Sequence, residues 1–197
     1  LGTEDAVAGW LLQETGRDIS VVDWSAGDGV GAAGVAQVLT RWSQEHGIIS
    51  LVLIPHDAEI REKGSGLTYR QQLIAAGVPA SAIVVVPRTP NVWVGIDEVR
   101  NLLPRMWFHS RCDRKVEKNG LKLPGGVGRL EAYRKTPSSS AAGGVRGVPF
   151  KDGVCDHSAD ALRTYAEARL QNLLKVKFGQ PNGAGNPPPK AVTGFRR

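Results

Sequence analysis

The sequence predicts an α/β fold in which helices flank a mixed β-sheet. Two observations favour this class. Residues 48–54 form an uncharged run rich in Ile, Val and Leu, which is typical of a strand buried on both faces of a sheet. Segments with helical spacing alternate with other short apolar runs along the chain. A short turn joins the first two predicted strands, so we expect a mixed sheet and not a purely parallel one.

The first part of the chain is predicted to form a β-hairpin followed by a helix. Ala6–Gln13 and Ile19–Trp24 have the composition of strands, and Gly16 lies in the short connection between them. The next segment, residues 32–46, carries apolar side chains at helical spacing, namely Val35, Val38, Leu39 and Trp42. Gly47 can end this helix, and the strand at 48–54 follows.

The rest of the chain is predicted to continue this alternation and to add a basic β-hairpin. The expected helices are 68–76, 92–103, 128–135 and 156–174, and the expected short strands are 82–86 and 106–109. Residues 114–122 place an Asn-Gly turn between two basic arms, which is a hairpin signal. Residues 136–147 are predicted to form a flexible loop. We expect one domain over 1–175 and a flexible basic tail, rich in Pro and Gly, over 176–197.

The composition favours an acidic partner. The 197 residues include 25 Lys and Arg against 19 Asp and Glu, for a formal net charge of +6. Nucleic acid is the commonest large acidic partner, although soluble proteins that bind none are also sometimes basic. Cys112 and Cys155 match neither a zinc spacing nor a disulfide framework, so a reducing cytoplasm is the expected setting. Neither a membrane span nor a signal peptide is predicted.

Asp57 is the first candidate for chemistry. It follows the apolar run at 48–54 and is separated from it only by Pro55 and His56. Open α/β sheets bind their ligands at the carboxyl ends of strands, where this carboxylate is expected to lie. The alternative is that Pro55, His56 and Asp57 form only a turn that ends the strand.

Two more acids, Asp156 and Asp160, lie four residues apart at the start of the last predicted helix and so share a face. Asp156 is equally a candidate for the helix N-cap, where the dipole favours an anion. Asp160 lies among Ala and Leu residues on the face expected to pack, where a bound divalent cation would explain a carboxylate. His157 could orient or protonate a group nearby, or could simply face solvent.

We therefore predict Asp57, Asp160 and Asp156 as catalytic and metal-binding residues, with His157 as a further catalytic candidate. Carboxylate clusters can hold two Mg²⁺ or Mn²⁺ ions, which activate the attacking water and stabilise the leaving oxygen of a phosphodiester. Basic side chains would contact DNA phosphates, although each alone is equally consistent with a solvated surface charge. The candidates are Arg61, Lys63, Arg88, Arg100, Arg114, Lys115, Lys118, Lys122, Arg129 and Arg134.

Several of these residues fall in an ordered series of motifs that resembles a known family. The series is Pro55-His-Asp-Ala58, Arg88 after a Val run, Gly95-Ile-Asp-Glu-Val-Arg100, Leu130-Glu-Ala-Tyr-Arg134 and Asp156-His-Ser-Ala-Asp160-Ala-Leu-Arg163. Over roughly residues 1–172 the chain is similar to the C-terminal nuclease domain of the large terminase subunit of tailed bacteriophages. The resemblance implies an RNase H-like fold and a Mg²⁺- or Mn²⁺-dependent endonuclease that cuts concatemeric double-stranded viral DNA.

The resemblance also implies roles and partners. Asp57 matches the second acid of the family, Asp160 the acid of its last helix, and Asp156 an extra acid that some members use there. The portal and the small terminase subunit would be partners in a packaging motor in the host cell cytoplasm. The first acid normally precedes a Leu-Gly-Thr-like turn, so we expect it, with the first strand, upstream of Leu1. Alternatively, Asp5 or Glu4 supplies the third carboxylate.

Two other functions stay open on the sequence. One is another RNase H-like nuclease, such as a junction resolvase or an integrase-like enzyme, which would use the same carboxylates. The other is a non-catalytic DNA-binding or docking module of the packaging motor. The sequence has no glycine-rich loop ending in Gly-Lys-Ser or Gly-Lys-Thr, so we do not predict ATP hydrolysis by this chain.

Overall fold

The computed structural model describes residues 6–62, 64–118, 120–135, 149, 152–175 and 190–193. The α-helices in this part of the chain are α1 (Ala32–His46), α2 (Tyr69–Ala75), α3 (Val92–Leu102), α4 (Gly126–Ala132) and α5 (Cys155–Leu170). The strands are β1 (Ala6–Thr15), β2 (Asp18–Asp28), β3 (Ile49–Pro55), β4 (Ile83–Val86), β5 (Met106–Phe108), β6 (Val116–Lys118), β7 (Leu121–Leu123) and β8 (Lys190–Thr193). Short 3₁₀ helices cover His56–Glu59, Leu103–Arg105 and Ser110–Asp113.

Six strands form one mixed sheet in the order β4-β3-β8-β1-β2-β5, and β6 and β7 form a separate hairpin. β1 pairs antiparallel with β2 and β8, whereas β3 runs parallel to β4 and β8, and β2 runs parallel to β5. The β1–β2 turn contains Gly16 at φ 62°, a left-handed conformation that glycine adopts without strain. The mixed α/β class predicted from the sequence is therefore confirmed.

The strand β3, which lies between β4 and β8, is buried on both faces of the sheet, as predicted. Ile54 and Leu11 belong to the core that α1 and α2 complete on one face. Their chain neighbours Leu53 and Leu12 belong to the core that α5 completes on the other face. Successive side chains of a strand point to opposite faces, so this division follows directly from the two-residue period.

The β8 strand differs from the predicted flexible tail over 176–197. It occupies the sheet position between β1 and β3, where Thr193 lies opposite both Trp10 and Leu53. Four residues are too few to show a hydrophobic period, so the local sequence does not identify this strand. Hydrogen bonds to a neighbouring strand on each side stabilise it instead. The remaining residues of the predicted tail, and the loop predicted at 136–147, lie outside the described residues.

The last helix, α5, is tied to the sheet near both of its ends. Trp10 Nε1 donates a hydrogen bond to the Ser158 carbonyl at 2.9 Å, and Trp24 Nε1 donates to Ser158 Oγ at 3.2 Å. Towards the other end, Arg169 Nη1 donates to Glu14 Oε1 of β1 at 2.6 Å. These bonds fix the position of α5 above the sheet and therefore the position of any functional group that it carries. Among the described helices, none is both long and apolar enough to cross a membrane.

Candidate functional site

A cleft of about 620 Å³ opens at the carboxyl ends of β3 and β4. These two strands are parallel, so their carboxyl ends lie at the same edge of the sheet, where α/β folds place ligands. Asp57, half-buried in the 3₁₀ helix that follows β3, lines one side. The part of α5 that faces the cleft contributes Asp160, Arg163, Thr164 and Glu167. Two acids predicted from distant parts of the sequence, Asp57 and Asp160, thus line one cleft.

Three side chains of α5 in the cleft are joined by hydrogen bonds. Arg163 donates to Asp160 Oδ1 from Nη2 at 2.9 Å and from Nε at 3.3 Å, and to Glu167 Oε1 from Nη1 at 3.0 Å. Thr89 lies in the segment after β4, and its Oγ1 donates to the same oxygen of Glu167 at 2.9 Å. The side chains of Arg163, Asp160 and Glu167 are only 17%, 7% and 10% exposed, so solvent screens these charges weakly.

Helix α3 packs against this network at Gly95. A Cβ at that position would lie 2.5 Å from Glu167 Oε1 and 2.7 Å from Arg163 Cγ. The missing side chain therefore allows the close approach of α3 to α5 and leaves room for the Arg163–Glu167 pair.

The other residues predicted for catalysis and metal binding lie elsewhere. Asp156 is buried one turn before Asp160, does not line the cleft, and has an Oδ1 atom with no hydrogen-bond partner among the described residues. His157 lines a separate cavity of about 200 Å³. His157 and Asp160 therefore line different cavities, and a catalytic role for His157 stays a prediction. Asp5 lies outside the described residues, so its role stays a prediction.

The acids of the cleft have the chemistry for a divalent cation but do not form a complete ligand set. Carboxylate oxygens are the ligands that Mg²⁺ and Mn²⁺ prefer, which suits Asp57 and Asp160. The unpaired, buried oxygen of Asp156 is an atom that a cation or an added donor would satisfy. Within the described ranges, these acids do not bring three ligand atoms within bonding distance of one point.

A closer group of possible ligands is formed by Asp23, Glu45 and His46, whose ligand atoms lie within 4.8 Å of one another. This group could hold a metal ion on geometry alone. However, Arg114 Nη2 donates to the buried Asp23 Oδ1 at 2.7 Å, and Arg111 Nη1 lies 3.7 Å from Glu45 Oε2. Two guanidinium groups therefore already contact this group, and none of its three residues lines the cleft.

Two basic residues predicted to contact DNA are engaged within the protein. Arg129 is buried, lies 4.9 Å from the ring centre of Trp24, and donates to the carbonyl oxygens of Pro124 and Val154 at 3.0 and 3.1 Å. A buried guanidinium cannot reach a phosphate, so the prediction of a DNA contact for Arg129 is replaced by a structural role. Arg114 is exposed, but its guanidinium is held by Asp23, which reduces its freedom to contact DNA.

The remaining basic candidates are exposed wherever the structure describes their side chains. Arg88 lines the cleft itself. The others lie on surfaces outside the cleft, and these are Arg61, Arg100, Lys115, Lys122 and Arg134. Lys63 and the side chain of Lys118 lie outside the described part of the chain. Among the described candidates, Arg88 is therefore the predicted DNA contact that shares the cleft with Asp57 and Asp160.

The start of α5 is held by Asp152. The alternative that Asp156 is the N-cap is not observed, because the N-cap position is Val154. Asp152 Oδ1 accepts hydrogen bonds from the backbone N–H groups of Val154 at 2.9 Å and Cys155 at 2.6 Å. Partial burial alone would raise the pKa of this carboxyl, but the bonds from Cys155 and Val154 outweigh burial and lower the pKa to about 2.

Replacing Asp152 with alanine is expected to lower the free energy of unfolding by about 1 kcal/mol near neutral pH, the usual cost of a lost cap. The folded-state pKa of about 2 lies below the ordinary value of 3.8, so this stabilisation is present above about pH 4 and is lost as the pH falls through about 2. Urea unfolding across this pH range measures the effect. Asp152→Asn keeps an acceptor oxygen and should lose less. A variant that loses stability in acid as steeply as the wild type would contradict the assignment.

Three residues that line the cleft were not predicted as functional candidates from the sequence, and these are Thr89, Arg163 and Glu167. Arg163 and Glu167 follow Asp160 at intervals of three and seven residues, which is the spacing of one helix face. That spacing was a usable signal for these two residues. Thr89 gave none, because its contact with Glu167 depends on how β4 and α5 pack.

Comparison with other proteins adds no family to this description. No protein-family model matches the chain, and searches of curated proteins and of solved structures find no match. Function must therefore be inferred from the cleft and its charges.

Proposed function

We propose that the protein is an endonuclease that cuts double-stranded DNA with the help of Mg²⁺ or Mn²⁺. The observation that carries the proposal is that Asp57 and Asp160 line one cleft at the carboxyl ends of two parallel strands. Paired carboxylates at such an edge are suited to hold divalent cations beside a phosphodiester. The RNase H-like fold implied by the resemblance belongs to this proposal, and the mixed sheet with its antiparallel first hairpin supports it.

In this proposal the side chains of the cleft have separate tasks. Asp57 and Asp160 bind the cation from opposite sides of the cleft, and Asp156 lies one turn before Asp160 on α5. A divalent cation lowers the pKa of the attacking water and stabilises the leaving oxygen. Arg88, exposed at the cleft, binds a phosphate of the DNA backbone and so fixes the substrate relative to the acids.

The charge of the protein supports DNA as the substrate. The formal net charge is +6, and Lys115 and Lys122 are exposed on and beside the β6–β7 hairpin. Contacts of lysine and arginine with phosphates carry no sequence information, so we expect binding that weakens with salt and cleavage with little sequence preference. A role in cutting concatemeric viral DNA, with the portal and the small terminase subunit as partners in the host cytoplasm, is proposed on the resemblance alone.

The test is cleavage of supercoiled plasmid by the purified protein. We expect nicked and linear products with millimolar Mn²⁺ or Mg²⁺ and none when EDTA removes the metal. Asp160→Asn serves as the check for a contaminating nuclease, because it should be inactive when prepared in the same way. Preferential cutting of four-way junctions would favour a junction resolvase instead. Salt-sensitive DNA binding with no cleavage under any of these conditions would favour a non-catalytic DNA-binding module.

A further inference from the structure

The segment 87–89, which follows β4 and contributes to the lining of the cleft, is held at both ends by α5. β4 lies at the edge of the sheet, and its pairing with β3 ends where this segment begins. Beyond that point, Gln171 Nε2 donates a hydrogen bond to the Pro87 carbonyl at 3.2 Å. At the other end, Thr89 Oγ1 donates to Glu167 Oε1 at 2.9 Å. Hydrogen bonds to the helix thus take over where those of the sheet stop.

The two residues of α5 that make these contacts are themselves well supported. Glu167 and Gln171 lie four residues apart and therefore on one face of the chain at the end of the helix. Glu167 Oε1 also accepts from Arg163 Nη1 at 3.0 Å, and its side chain is only 10% exposed. The end of α5 is tied to β1 by the bond from Arg169 to Glu14. The helix therefore gives the segment a fixed support.

The backbone around Arg88 has little freedom of its own. Pro87 and Pro90 restrict φ through their rings, and a proline also restricts the residue before it, which here includes Thr89. The side chain of Arg88 is exposed and lines the cleft. Among the described residues, its guanidinium has no hydrogen-bond or ion-pair partner. A charged group that is available for a ligand thus stands on a backbone that is held in place.

We propose that Glu167 and Gln171 are positioning residues that hold the segment 87–89 so that Arg88 meets a phosphate of duplex DNA at a fixed place in the cleft. This inference rests on the proposed function and adds the residues that set where the DNA backbone lies. A guanidinium can donate two parallel hydrogen bonds to a phosphate, a geometry that is lost when the backbone carrying it shifts. Ordering this backbone in advance also lowers the entropy cost of binding.

A purely structural role of the two contacts predicts a different result. If the hydrogen bonds from Thr89 and Gln171 only stabilised the fold, removing either would lower stability and leave DNA affinity unchanged. If they position Arg88, removing either weakens DNA binding, but only while Arg88 is present. The phosphate contact itself needs no metal ion, so it can be measured apart from cleavage.

The experiment measures binding of the full chain to a short fluorescein-labelled duplex of mixed sequence by fluorescence anisotropy, in EDTA and over a range of salt concentrations. We expect Arg88→Gln to bind about tenfold more weakly, the effect of losing one charge-assisted contact. The slope of log affinity against log salt should become shallower by about one, as for the loss of one phosphate contact. Arg17→Gln removes an equally exposed charge at the β1–β2 turn and should leave both quantities close to the wild type.

The positioning contacts are tested with two independent variants. Thr89→Val keeps the shape of the side chain but lacks the hydroxyl, and we expect about threefold weaker binding because the segment loses one of its two supports. Thr89→Ser keeps the hydroxyl and should bind like the wild type. Gln171→Ala frees the other end of the segment and should weaken binding to a similar extent. When Arg88→Gln is already present, Thr89→Val should weaken binding no further.

The outcomes separate this inference from the proposed function. Wild-type DNA affinity of both Thr89→Val and Gln171→Ala would overturn the inference while leaving metal-dependent cleavage intact. A loss caused by Thr89→Val that is equally large in the Arg88→Gln background would overturn it as well. If the variants behave as expected but the wild type never cuts plasmid with Mn²⁺, the endonuclease function fails and the positioned phosphate contact stands. A wild type that does not bind the duplex would overturn both.

Discussion

Asp57→Asn is expected to slow Mn²⁺-dependent plasmid cleavage by at least about 100-fold, which corresponds to about 3 kcal/mol of lost transition-state stabilisation. The substitution keeps the size of the side chain but removes the charge that, under the proposed function, holds a divalent cation. Asp57 lies directly after β3, so the backbone around it is fixed by the buried strand and the altered group cannot easily be replaced by a neighbour. Initial rates at saturating Mn²⁺, measured on supercoiled plasmid, provide the test.

The matched control is Asp18→Asn. Asp18 is an exposed acid at the start of β2, next to the β1–β2 turn, and it does not line the cleft. Because β1 runs antiparallel to β8 and β8 parallel to β3, that turn lies at the edge of the sheet opposite Asp57. The control should cut at the wild-type rate. If Asp57→Asn cuts as fast as Asp18→Asn, the carboxylate of Asp57 is not part of the catalytic machinery.

Trp10→Ala is expected to lower the free energy of unfolding by about 3–5 kcal/mol, the usual cost of removing a large aromatic side chain from a core. Trp10 has no exposed surface, and its ring centre lies 6.1 Å from that of Trp24 and 5.9 Å from that of Phe108. The same indole donates a hydrogen bond to the Ser158 carbonyl, so its loss also frees the start of α5. Chemical denaturation followed by far-ultraviolet circular dichroism measures the change.

Two further variants separate the contribution of buried packing at Trp10 from that of its hydrogen bond. Trp107→Ala removes an indole that is 68% exposed and should cost less than about 1 kcal/mol. Trp10→Phe keeps most of the ring but lacks the N–H donor, so the Ser158 carbonyl loses its partner and we expect an intermediate loss of about 1–3 kcal/mol. Equal effects of Trp10→Ala and Trp107→Ala would contradict the packing described for β1 and α5.

Much of the fold could be predicted because its strongest signals are local. The run at 48–54 is long and uncharged enough to identify a strand buried on both faces, and β3 occupies 49–55. The apolar spacing within 32–46 identified α1 with the same bounds. The strand β8 could not be predicted, because four residues that include Lys and Thr carry no period, and the strand depends on partners far away in the sequence.

The candidate site shows the same limit. Asp57 and Asp160 could be proposed singly, from a strand end and from a helix face, and the structure places both in one cleft. The burial of Arg129 under Trp24 could not be foreseen, since an isolated arginine in a sequence is most often exposed. Arg163 was visible only as part of a motif, because its link to Thr89 through Glu167 depends on how β4 packs against α5.

The position of β8 has a consequence for how the chain reaches its native state. β8 joins residues 190–193 to residues 10–13 and 49–53, so the middle of the sheet cannot close until nearly the whole described chain has been synthesised. Until then β1 and β3 each present an unpaired edge, and such edges readily recruit strands from other molecules. Contacts between residues so distant in sequence also form slowly. The nascent or partly refolded chain, and not the native protein, is therefore the species most exposed to aggregation.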